Sequence, residues 1–151
     1  MACIGRAIGE THRRYTNFIN ARGRWSGHLF QSGFASVAMD EAHLIAAVRY
    51  VSLNPVRARL VASAEDWAWS SARAHLAQAD DGLVTVKPML DRLGAAGVAA
   101  LLRAGNADEA AVAALRGAET TGRPLGNDDF IAGLERLLGR PIARRAAGRQ
   151  P

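Results

Sequence analysis

The sequence predicts an α+β chain that is mostly helical, with one or two strands. Three observations carry this. Apolar residues recur at helical spacing over 6–20, 40–54 and 127–138. One stretch, 28–39, is rich in strand-forming types. Between 88 and 115 the chain is dominated by alanine and reads as short helices.

The first helix rests on Ile8, Thr11, Tyr15, Phe18 and Ile19, with Arg6, Arg13 and Arg14 around them. Arg13 and Arg14 are candidate phosphate contacts on what is otherwise a solvated basic face. A glycine-bearing loop follows at 21–27. In the strand candidate, Leu29, Phe30, Phe34 and Val37 are favoured types, and Gly33 suggests a bulge. Asp40 is a good N-cap and Glu41 suits a first turn. Leu44, Ile45, Val48 and Val51 then form one apolar stripe, with His43, Tyr50 and Asn54 on its flank. Pro55 disfavours helix at Asn54 and should end or kink the helix there. Trp67 and Trp69 precede Ser70 or Ser71 as a further N-cap. The two indoles are expected to be buried, with stacking on unpaired bases as the other reading. Short helices are expected over 88–93, 95–104 and 107–115, a turn over 120–126, and a helix from an Asn127 cap to Leu138. Residues 140–151, with Arg140, Arg144, Arg145 and Arg149, read as a basic, disordered tail.

Bulk properties narrow the function. The chain has 151 residues, 49% of them hydrophobic, but alanine supplies much of that share and aromatics are only 6%. The core is therefore expected to be thin, because alanine buries little area. A net charge of +5 favours an anionic partner such as nucleic acid, although GC-rich coding produces the same bias. Cys3 is the single cysteine, so no intramolecular disulfide forms. No apolar run is long enough for a signal peptide or a membrane span, which leads to the expectation of a soluble, cytoplasmic protein with no membrane partner. CxxC, HExxH, Walker and GxSxG patterns are absent.

The chemistry gathers in 49–58, RYVSLNPVRA. Tyr50 and Asn54 are four residues apart and share a helix face. Arg57 and Arg59 follow at once. A phenol nucleophile, an amide oxygen able to ligate a hard metal ion, and cations for phosphates form a kit for attacking a phosphodiester. A packing tyrosine followed by an Asn-Pro helix stop is the alternative reading of the same residues.

The surrounding strings YTNFIN (15–20), GRWSGHLFQSGF (23–34), RYVSLNPVRARLV (49–61) and DWAWSS (66–71) occur in that order. Together they resemble the REP-associated tyrosine transposases, relatives of the IS200-type single-strand transposases. The resemblance is dense over 12–77 and looser over 122–140. It implies a ferredoxin-like domain whose tyrosine, here Tyr50, attacks single-stranded DNA to give a 5′-phosphotyrosine and a free 3′-hydroxyl. It implies Mg²⁺ or Mn²⁺ as cofactor, with Asn54 among the ligands, and single-stranded or hairpin DNA as partner, contacted by Arg13, Arg14, Arg57 and Arg59. A homodimer is compatible with it. On this reading 1–78 is part of the transposase domain, 79–139 a helical C-terminal extension and 140–151 the tail.

Two departures stand out. The family's His-hydrophobic-His metal motif lies upstream of these strings, and no two of His12, His28, His43 and His75 are one residue apart. The chain is thus expected to hold the later part of the domain, and a catalytically inactive remnant that only binds DNA is the alternative function. Arg59 also stands where relatives have the glycine of a left-handed helix end, so it must strain or the turn must differ.

Overall fold

The computed structural model describes residues 4–30, 36–103 and 109–142. The helices are α1 (Ile4–Gly23), α2 (Glu41–Ser52), α3 (Asn54–Arg57), α4 (Ala72–Ala77), α5 (Lys87–Arg103), α6 (Glu109–Thr121) and α7 (Asp128–Leu138), with a 3₁₀ turn at Ala64–Asp66. Among the described residues there is no strand and no sheet. The α+β expectation is therefore corrected to an all-helical arrangement, and the ferredoxin-like sheet is absent from the described residues.

The reason is visible at both ends of the expected strand, 28–39. Its middle, 31–35, lies outside the described residues. Before it, the chain folds back on α1. The Asn20 amide donates to the Gly27 carbonyl at 2.9 Å, and the Phe30 ring stacks on His12 with centroids 4.0 Å apart. After it, a single parallel bridge joins Met39 to Leu125, with Leu125 N–H donating to Ala38 and Asp40 N–H to Leu125. The next rung of a ladder would use the Asn127 N–H, but that group donates to the Asp40 carboxylate at 2.9 Å. Pairing stops after one residue because α2 and α7 begin there.

The chain forms two compact units, Met1–Ser36 and Val37–Pro151. In the first, α1 closes on Arg24, which takes a left-handed conformation (φ 53°), and Trp25 N–H donates to Asn20. The Trp25 indole lies over Gly23, so close that a Cβ there would sit 2.7 Å from the ring.

In the second unit the core comprises Leu53, Ala64, Ala72, Val98 and Leu102, flanked by Val56, Leu76, Met89, Leu90 and Leu93. It lies where the α2–α3 junction, the 3₁₀ turn, α4 and α5 meet. Two of the five buried residues are alanines, so the core is thin, as the composition implied. Helix α5 contains a break at Gly94 (φ 64°, ψ 167°), between the two alanine-rich segments expected as separate helices. Of the tryptophans, Trp67 is half-buried while Trp69 is 87% exposed, against the expectation of burial. The basic tail beyond Ile142 lies outside the described residues.

Candidate active site

Helix α2 begins as its sequence dictates. The Asp40 carboxylate accepts from His43 N–H at 2.9 Å and caps the helix, with the His43 ring Nδ1 2.6 Å from the same oxygen. Ten residues on, the helix delivers Tyr50 half-buried on its flank. The apolar stripe does not run to its expected end: Val51 is 67% exposed, and Ser52 and Leu53 are buried instead. The helix stops at Ser52, yet Leu53 keeps right-handed helical angles (φ −90°, ψ −1°) and α3 starts at Asn54. The junction at Pro55 is thus a short interruption and not a change of direction into extended chain.

Arg57, at the end of α3, places its guanidinium carbon 4.9 Å from the centre of the Tyr50 ring. That is cation–π distance. Arg116 of α6 also comes near enough to the phenol to favour its ionised form. Arg116, followed by Arg57, holds the Tyr50 phenol below its ordinary value of 10.0, against the opposing effect of burial. A phenol flanked by two permanent cations is easier to ionise and also lies where a phosphate would be attracted. One Arg57 nitrogen, Nη1, is enclosed without an acceptor.

The other sequence candidates are placed as follows. Asn54 is the exposed first residue of α3. Arg59 is exposed and left-handed, φ 58°. It occupies the position after the α3 cap, with Arg59 N–H donating to Val56 and Leu60 N–H to Pro55, a complete Schellman closure. The turn is therefore left-handed, with arginine bearing the strain. Arg13 and Arg14 lie in the first unit, both paired with Glu10, at 2.8 and 2.7 Å. Their pairing pulls the Glu10 carboxyl down to about 2.

Arg116 was not foreseen. It is 66 positions from Tyr50, and its one sequence signal is that it is the sole basic residue of an alanine-rich helix. The metal expectation fares differently. Among the described residues no group of three or more His, Cys, Asp or Glu side chains converges to hold an ion. The Asn54 amide is a single oxygen donor, whereas hard divalent ions take six or more oxygens and are bound through carboxylates. The residues present do not by themselves fit Mg²⁺ or Mn²⁺. What the arrangement offers is a nucleophile and cations.

No helix among the described residues is long and apolar enough to cross a membrane. Comparison with family models, with curated proteins and with solved structures gives no match to this chain.

Proposed function

We propose that this chain carries the nucleophile of a transposase-type DNA transesterase, with Tyr50 attacking a phosphodiester of single-stranded DNA. The observation that carries the reading is the Arg57 guanidinium lying over the Tyr50 ring, with Arg116 joining it in favouring the ionised phenol. The phenol loses its proton to solvent, its oxygen attacks phosphorus, and the bond from phosphorus to the 3′-oxygen breaks. The 3′-oxygen takes up a proton, leaving a 5′-phosphotyrosine and a 3′-hydroxyl. Number and type of phosphoester bonds are retained, so the 3′-hydroxyl reverses the step without an external energy source. Arg57 and Arg116 stabilise the phenolate before attack and the phosphate charge during it. The exposed Trp69 supplies a face on which an unpaired base can stack. Bacterial cytoplasm, where such DNA is found, is the compartment this function requires.

A second reading has its own observation. Nothing among the described residues converges on a metal ion, and the chain contains no His-x-His pair. A protein that binds single-stranded DNA through the same arginines without cutting it satisfies both facts.

One assay separates the two. Labelled single-stranded hairpin DNA is incubated with the protein and Mn²⁺ at low salt and run on a denaturing protein gel. Transesterase function gives a shifted covalent band that persists in Tyr15→Phe and vanishes in Tyr50→Phe. A native-gel shift with no covalent band in any variant supports binding without cleavage. A covalent band that survives Tyr50→Phe removes Tyr50 from the chemistry.

A further inference from the structure

Behind Arg57, on the side of α3 that faces the core, is a cavity of about 290 Å³. Leu53, Val56, Leu76 and Leu102 give it apolar walls, and Arg57, Arg103, Glu65 and Ser63 make up the polar part of its lining. Such a chamber, mostly apolar with few polar groups, is the usual form of a site for a planar organic ligand. Its volume exceeds what one aromatic heterocycle needs and falls short of a duplex step.

The position of Arg57 makes the cavity more than a packing gap. One residue, Arg57, lines this cavity and also places its guanidinium over the Tyr50 ring. The cavity is therefore within one nucleotide's reach of the phenol. None of the described ion pairs involves Arg57, and Glu65 shares the cavity lining with it.

We propose that this cavity is the pocket for one unpaired nucleobase, the base next to the phosphate presented to Tyr50. The base inserts between the leucine and valine walls, with the Arg57 and Arg103 residues of the lining beside it. The energy of inserting the base is then used to fix the neighbouring phosphate against the nucleophile. This rests on the reading of Tyr50 as a nucleophile for its meaning but not for its test, since a base can occupy the pocket whether or not the phenol reacts.

The test is amide and methyl chemical-shift mapping of the full chain with two probes at millimolar concentration. One is each of the four deoxynucleoside 5′-monophosphates, added singly. The other is deoxyribose 5′-phosphate, which has the same phosphate and no base. The expected result is that at least one nucleotide shifts Val56, Ala64, Leu76 and Leu102, while the sugar phosphate leaves them in place. Ala62→Trp, which fills the cavity from its exposed rim, should abolish those shifts and weaken binding of short single strands about tenfold, the worth of one stacked base. Equal shifts with both probes, or none at the cavity residues, overturns the proposal. So does a strand affinity unchanged in a folded Ala62→Trp protein, as judged by an undisturbed circular dichroism melt. Failure of the covalent assay with these shifts intact would remove the chemistry and leave the pocket.

Discussion

At the scale of single residues the molecule turns on one phenol. Arg116 contributes more than Arg57 to lowering the Tyr50 value, and burial opposes both. A depressed acid is stabilised in its ionised form, so this contribution to folding appears as pH rises through the folded value and is lost as pH falls through it. Absorbance in the tyrosinate band should therefore show an ionisation below 10.0 that is missing from Tyr50→Phe. Arg116→Gln should move its midpoint up further than Arg57→Gln does. An unchanged midpoint in Arg116→Gln would mean that the phenol and α6 are not engaged in solution. Tyr50 was legible as a candidate because a phenol, an amide and two arginines stand within ten residues of sequence, although Asn54 proves to belong to the next helix, α3. Arg116 was not, because nothing local ties an arginine in α6 to a tyrosine in α2; only the packing of those helices does.

At the scale of elements, the breaks are more informative than the helices. Arg59 accepts a left-handed conformation that costs a side-chain-bearing residue about 1 kcal/mol. Arg59→Gly should raise stability by up to about 1 kcal/mol in urea unfolding, less whatever the freer unfolded chain returns. Gly94 is the opposite case. Its φ of 64° with ψ of 167° lies in a region only glycine occupies comfortably. Gly94→Ala should cost about 1–3 kcal/mol, although nothing lies within 4 Å of where its Cβ would be. A neutral Gly94→Ala would mean that α5 runs straight through. Helix starts were readable in the chain because capping is local: Asp40 and Asn127 each accept from the N–H three residues on. The strand was not, because 28–39 has the right residue types and the decisive factor is a partner. Leu125 offers one rung, and then the N–H of Asn127, two residues on, is taken by the Asp40 carboxylate. Residue type expresses a preference for a half-buried sheet, and no sheet is there among the described residues to receive it.

For the molecule as a whole, Asp40 is the joint. Its carboxylate accepts from His43 N–H, from the His43 ring and from Asn127 N–H, so one side chain serves the start of α2 and the approach to α7. The His43 amide, then its ring, then the Asn127 amide hold this carboxyl below its ordinary 3.8. The stabilisation it gives is complete above that value and disappears as pH falls through the lower, folded one. The stability gap between the natural chain and Asp40→Ala should close on acidification below pH 3.8 and stay constant above it, read from urea midpoints at each pH. A gap that persists at low pH would show that the residue acts through packing and not through its charge.

The Asp40–Asn127 bond also spans 87 positions. Most other side-chain hydrogen bonds among the described residues join positions eight or fewer apart, so this one closes a much longer ring than they do, the same one that the backbone bonds of Leu125 to Ala38 and Asp40 close. A contact that needs so much chain to be gathered first is rewarded late on the route to the native state. It then acts as a clasp on the finished structure. In stopped-flow experiments Asp40→Ala should leave the refolding rate nearly unchanged and speed unfolding, because an interaction absent at the barrier top changes only the exit rate. Should refolding slow in proportion instead, the two ends of the unit meet early, and α7 helps to assemble the helix that carries Tyr50.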